Sequence, residues 1–378
     1  MFTTHASQSQ PEQTDDLRVP VTLLTGFLGA GKTTLLNQVL SDSSSGRIAV
    51  IVNEFGEAGL DHDLIETVDG DVMLMSSGCL CCSIRGDLSD SFVKLLAQRD
   101  EGMLSFDRVV IETTGLADPG PILQTLLVDS FLARNTRMDG VVTVVDAVNG
   151  PATLDAQFEA VSQVAMADLI VLSKTDLVSK ASAKAVTDRL RDLNPTADIL
   201  RRLDHEFALK KLWNLTSMRE DAHQHEAISW TTPKVANDPL GNLSGLMATS
   251  VSKPVTTSEF SRHDTDISSV SIVLDEALDD AVFDKWFDTL IAYKGYDILR
   301  VKGILFLEGI ETPFAFHGVQ HIFDPPVPLK NWTGNDRRTR IVLIGRNLSQ
   351  PEIQRSLDLL RKPEHADAMS VQAARGSD

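Results

Sequence analysis

From Val19 to about residue 205 short apolar runs alternate with segments of helical periodicity. Val21–Thr25, Ile48–Val52, Val72–Met75, Val109–Ile111, Val141–Val145 and Leu169–Leu172 are apolar without a polar stripe, which predicts strands buried on both faces. Between them, residues 35–40, 88–96, 121–132 and 181–193 carry apolar positions at helical spacing. Strand and helix in alternation predict an α/β fold, a doubly wound and mostly parallel sheet with helices on both faces. This unit is expected over residues 19–230.

The pattern is lost over residues 231–268, where Pro, Gly, Ser and Thr recur, so a linker or mobile loop is expected there. A second period then begins. Ser269–Leu274 predicts a strand, and Val282, Trp286, Leu290 and Tyr293 recur on one helical face. Strands are expected at residues 298–302, 304–307, 314–319 and 339–345, then a helix at 351–361. That order predicts a smaller C-terminal α+β domain of ferredoxin-like character over residues 269–362. Residues 1–18 and 363–378 are polar enough to predict tails.

Composition narrows the function. The chain has 378 residues, 42% of them hydrophobic and 23% charged, enough for two packed cores. Its net charge of −18 disfavours nucleic acid as a partner. No apolar run reaches membrane-spanning length, and the first residues carry no secretory signal, so no membrane partner and a cytoplasmic location are expected. The three cysteines are Cys79, Cys81 and Cys82, with none elsewhere. In a reducing compartment such clustering points to metal or redox chemistry rather than to a structural disulfide.

The first strand runs into Gly26-Phe-Leu-Gly29-Ala30-Gly31-Lys32-Thr33-Thr34 and then into a helix, which satisfies G-x-x-x-x-G-K-[ST] in its strand–loop–helix setting. Glycines let backbone N–H groups close on a triphosphate, Lys32 neutralises its β- and γ-phosphates, and the Thr33 hydroxyl is suited to Mg²⁺. A dinucleotide fingerprint fails, because its third glycine would fall at Thr34. Downstream, Val109–Ile111 leads into Glu112-Thr-Thr-Gly115, where the carboxylate could hold Mg²⁺ or its water and the Gly115 N–H could sense the γ-phosphate. Ser173-Lys174-Thr175-Asp176 follows the strand at 169–172. Its aspartate can accept the two donors of the guanine edge, which adenine lacks, while the lysine stem packs on the base. GTP is therefore the expected nucleotide. Asp146, at another strand end, receives no role.

Cys79 and Cys81 project to one side of an extended segment, and Gly78 permits a bend that brings Cys82 within reach of the same ion. Thiolates select Zn²⁺, Co²⁺ or Cu⁺ over Mg²⁺. A fourth ligand could come from water, Glu57 or His62, and Asn53 and Glu54 precede these on a loop. Inert buried thiols and a redox pair of Cys79 with Cys82 are the alternatives. His205, His223 and His225 are read as surface residues, and His317 and His321 as part of the C-terminal sheet.

The segments GFLGAGKTTLLN, NEFGE, SGCLCCSIRGDL, ETTGLADP and SKTDL together resemble the CobW-type GTPases, relatives of the hydrogenase and urease nickel accessory proteins. The resemblance covers residues 20 to 205 with every motif in family order, and implies a P-loop domain with a smaller CobW C-terminal domain. It implies GTP-dependent delivery of a transition metal, zinc or cobalt, to a client metalloprotein or a cofactor-biosynthesis enzyme. Nucleotide binding would fall on Gly26, Gly29, Ala30, Gly31, Lys32, Thr33 and Thr34, the switch on Glu112 and Gly115, base choice on Lys174 and Asp176. Metal binding would fall on Cys79, Cys81 and Cys82. A nucleotide-dependent homodimer is also considered. Leu116 stands where Ras-like enzymes carry a water-orienting glutamine, so slow turnover is expected, with Arg85 as a candidate charge stabiliser. The rival readings are a P-loop ATPase or small-substrate kinase, and a metal store or sensor that hydrolyses nothing.

Overall fold

The computed structural model describes residues 16–53, 74–77, 84–203, 207–234 and 267–358. Seven strands form one parallel sheet: β1 (Val19–Gly26), β2 (Ile48–Asn53), β3 (Leu74–Ser77), β4 (Arg108–Thr113), β5 (Thr136–Asp146), β6 (Leu169–Ser173) and β7 (Asp198–Arg201). Their order is β3-β2-β4-β1-β5-β6-β7, which reverses direction at β1. The crevice beyond the carboxyl end of β1 is thus the topological switch point, where open α/β sheets bind ligands.

Helices α1 (Lys32–Leu40), α2 (Ile84–Asp100), α3 (Gly120–Val128), α4 (Ser130–Asn135), α5 (Gly150–Ala156), α6 (Phe158–Met166), α7 (Lys180–Leu193) and α8 (Gln224–Thr231) cover the sheet. Val21 and Leu23 of β1 join the core under α2, α3, α6 and α7, whereas Leu24 joins the core under α1. Both faces are therefore dry, as the unbroken apolar runs require. On α2, Leu88, Phe92, Leu95 and Leu96 recur at helical spacing and are buried, each side chain stabilising the fold by about 1.5–3 kcal/mol.

The helix expected over residues 121–132 is two helices. Asp129 has extended backbone, and its carboxylate accepts from the Phe131 and Leu132 N–H groups, so it ends α3 and caps α4. α5, α6, β7 and α8 have no counterpart among the elements expected from periodicity.

The second sheet comprises β8 (Ile267–Leu274), β9 (Ile298–Leu305), β10 (Phe314–Val319), β11 (Ile322–Phe323), β12 (Val327–Pro328) and β13 (Thr339–Arg346). All its pairings are antiparallel, and α9 (Asp280–Lys294) and α10 (Gln350–Asp358) accompany it. β8 and β9, joined through α9, flank β13, which is the split β-α-β arrangement of ferredoxin-like domains. The two strands expected over residues 298–307 are the single strand β9. Gly303 does not interrupt it: a Cβ there would lie 2.2 Å from the Phe316 ring, so the glycine makes room for a neighbour within a continuous ladder.

The two sheets share a core. Ile267, Leu299, Val319, Val342 and Ile344 pack into the same cluster as α2, α3 and α6, and Ala227 and Trp230 of α8 pack with Ile304 and Phe306. Between the units lies a buried Asp168, which accepts from Arg300 at 3.0 Å, the Val141 N–H at 3.0 Å and the Trp230 indole at 3.3 Å, and forms an ion pair with the Lys302 ammonium at 2.8 Å. Lys234 pairs with Asp198 at 2.5 Å, which ties the start of the expected linker to β7.

Candidate functional site

The carboxyl ends of β1, β4, β5 and β6 converge on one loop. Gly31, with φ of 100°, is the N-cap of α1, and no side chain caps the helix, so its first N–H groups are oriented at the loop. Lys32 is buried, and its Nζ donates to Gly26 O at 2.9 Å and to Phe27 O at 3.3 Å, folding the ammonium over the loop interior. Ala30 is buried, while Gly29 and Thr34 are exposed at the rim.

Thr33 Oγ1 donates to Glu112 Oε1 at 2.9 Å, so the helix start and the end of β4 are joined by the two side chains expected to serve Mg²⁺. A hydroxyl beside a carboxylate is a hard oxygen donor set, which fits that ion. One residue on, Thr113 donates to Thr25 at 2.9 Å inside the sheet. Gly115 follows in direct contact with the loop: a Cβ there would lie 2.3 Å from Leu28 N and 2.5 Å from Leu28 Cα. The buried Gln163 of α6 steadies this turn by donating to Ala117 O at 2.9 Å and to Gly115 O at 3.3 Å. Leu116 is exposed at the same turn.

On the opposite side, Ser173 Oγ donates to Ala30 O at 2.6 Å and Lys174 Nζ to Gly29 O at 2.8 Å. Asp176 stands exposed two residues further on. The Lys174 ammonium also meets Asp146 Oδ2 at 2.6 Å. Burial alone would raise the Asp146 carboxyl, but hydrogen bonds from Lys174, Val148 and Asn149 outweigh it and hold the group below the ordinary carboxylate range.

The structure thus brings Gly26, Gly29, Ala30, Gly31, Lys32, Thr33, Thr34, Glu112, Gly115, Lys174 and Asp176 to one crevice. Cys79, Cys81, Cys82, Glu54, Glu57, His62 and His205 lie outside the described residues, as does the side chain of Arg85. Among the described residues no group of three metal-ligating side chains is found. His223 and His225 are exposed with their rings stacked at 5.8 Å, and His317 lies buried in β10 against Asp324. Sequence reasoning missed Asp146, Gln163 and Arg202, whose Nη1 would lie 3.9 Å from a Cβ on Gly31. Only Asp146 carried a signal, as an acidic residue ending a strand beside the P-loop strand.

Residues 20–201 match the family model for the CobW/HypB/UreG nucleotide-binding domain, and residues 267–361 that for the cobalamin synthesis protein cobW C-terminal domain. The chain is 33% identical over 344 residues to the zinc chaperone YjiA of Escherichia coli, covering 91% of this chain and 99% of that one. It is 32% identical over 355 residues to the zinc-regulated GTPase metalloprotein activator 1 of Schizosaccharomyces pombe, covering 87% and 83%. The crystal structure of the Zn(II)-bound YjiA GTPase from Escherichia coli superposes with a TM-score of 0.67 at 31% identity, over 91% of this chain and 99% of that one. A triple mutant of YjiA, with one glutamate and two cysteines changed to alanine, is also zinc-bound and superposes equally, with a TM-score of 0.67.

Proposed function

The chain belongs to the CobW/HypB/UreG family and is a GTPase metallochaperone, and from that premise we propose that its nucleotide cycle loads and releases zinc on Cys79, Cys81 and Cys82. Strand register carries this reading. β2 pairs Asn53 with Thr113 on one side and with Ser77 on the other. The chain therefore leaves β3 two residues before Cys79, at the edge of the sheet that holds Glu112. The separation from the end of β1 is about 14 Å, three strand spacings of about 4.8 Å. A change in the turn at Gly115 has a short path across the sheet to the end of β3, from which the sequence continues to Cys79.

In this reading Lys32 exchanges the loop carbonyls for the phosphates, and the Gly115 N–H reports the γ-phosphate. Thr33 and Glu112 would hold Mg²⁺, which neutralises phosphate charge. Lys174 and Asp176 choose guanine. With no glutamine after Gly115 to orient water, hydrolysis is slow and the GTP state persists long enough to hold cargo for a client. The names of the relatives, a zinc chaperone and a zinc-regulated GTPase, support zinc as that cargo. Isothermal titration of zinc into the protein bound to a non-hydrolysable GTP analogue, and then to GDP, tests the reading. Affinities that differ between the two states support it, and equal affinities refute it.

A further inference from the structure

Asp146 ends β5 and is 6% exposed. Oδ1 accepts from the Val148 N–H at 2.7 Å and the Asn149 N–H at 3.3 Å, and Oδ2 accepts from Asn149 Nδ2 at 2.9 Å. The fourth donor is the Lys174 ammonium at 2.6 Å. Lys174 itself has φ of 54°, a left-handed backbone that a lysine rarely adopts and that its surroundings must hold in place. Its ammonium reaches Gly29 O, and Ser173 Oγ reaches Ala30 O, so the last residue of β6 and the one after it grip two successive carbonyls of the phosphate loop. A lysine that left Asp146 would keep only a neutral carbonyl partner.

We propose that Asp146 is the positioning residue of the base-reading segment: its carboxylate pins Lys174 against the phosphate loop and so sets the lysine stem and Asp176 in register for guanine. The proposal rests on the guanine assignment above. The anchor reaches the loop at the Gly29 and Ala30 carbonyls, so GTP and GDP are expected to depend on it alike. It also explains why a charge sits, well hydrogen-bonded, at a strand end with no role in phosphate chemistry.

Asp146→Asn keeps an oxygen for the Val148 and Asn149 N–H groups, but places an amide NH2, which cannot accept, where Oδ2 meets Lys174 and Asn149 Nδ2, so the charge is lost together with those two hydrogen bonds. Fluorescent GDP and a fluorescent non-hydrolysable GTP analogue, titrated into the full chain, provide the readout. Both dissociation constants are expected to rise about tenfold in Asp146→Asn, and by a similar factor in Lys174→Met. The double variant is expected to bind no more weakly than Lys174→Met alone, because the two residues act as one unit. A purely structural role for Asp146 would make the two losses multiply, and that result overturns the proposal. Unchanged affinity in Asp146→Asn, or a loss confined to one nucleotide, also overturns it. If Asp146→Asn fails to fold, Asp146→Ser, whose hydroxyl can still accept from the Val148 N–H, takes its place under the same criteria. A wild-type protein that prefers adenine nucleotides would refute the guanine assignment, and the same cycle read with fluorescent ADP and a non-hydrolysable ATP analogue would then judge Asp146.

Discussion

Gly115 joins the two halves of the nucleotide site by contact rather than by chemistry. A methyl group there would meet the Leu28 backbone at 2.3–2.5 Å, a clash with main-chain atoms that no side-chain rotation relieves. Gly115→Ala is expected to lower GTP hydrolysis by about tenfold or more while GDP binding changes by less than about threefold, measured by single-turnover phosphate release and nucleotide titration. Residues whose chemistry is local were legible in advance: Lys32, Thr33 and Glu112 follow from what a phosphate and Mg²⁺ require at fixed spacing. Asp146 was not, because a strand-end acid is ordinary until Lys174, twenty-eight positions later in the chain, folds against it. Gln163 was hidden for the same reason, since its partners Gly115 and Ala117 come from a distant turn.

At the scale of elements, periodicity located the strands well and some helices poorly. α6 is buried from Ala160 to Met166 on every side, so it has no polar stripe to announce it. Its carboxyl end depends on a single side chain. Asn194 Nδ2 donates to Val164 O, Ala165 O and Ala167 O at 2.9–3.1 Å, and Asn194 Oδ1 accepts from the Thr196 and Ala197 N–H groups. Val164 O keeps the Ala167 N–H, but Asn194→Ala takes this partner from Ala165 O, Ala167 O and the Thr196 and Ala197 N–H groups, and is expected to cost about 3 kcal/mol in urea unfolding. Nucleotide affinity should stay within about twofold of wild type, because the affected carbonyls lie away from the phosphate loop. The break between α3 and α4 shows the opposite failure: the apolar pattern runs through Asp129, and only its capping hydrogen bonds reveal that one helix stops and another starts.

At the scale of the whole molecule, the two units meet over the buried Asp168 with Arg300 and Lys302. Burial opposes ionisation of Asp168, but the two cations outweigh it and hold the carboxyl far below its usual range, whereas burial pushes Lys302 down to about 8. Asp168→Asn strands two buried cations and is expected to destabilise the protein by about 3–5 kcal/mol at neutral pH. The sign for acid follows from the lowered carboxyl. Its contribution is complete above the unfolded value near 3.8 and is lost as pH falls toward the folded value, so wild type and variant should converge on acidification below about pH 4. Urea titrations at several pH values check both. This meeting of units was invisible in the sequence, where Arg300 and Lys302 fall within an expected strand and Asp168 lies 132 positions before Arg300.

The proposed zinc cycle requires communication between the phosphate crevice and the cysteines that follow β3 in sequence. Its most direct measurement is the zinc affinity of the full chain in the GTP-analogue and GDP states, beside a Cys79/Cys81/Cys82→Ser variant. A ratio of about tenfold or more is expected between the two states in the wild-type chain, abolished by the variant together with one zinc equivalent. Zinc affinity that ignores the nucleotide, or a full complement of zinc bound by the variant with the ratio unchanged, would contradict it.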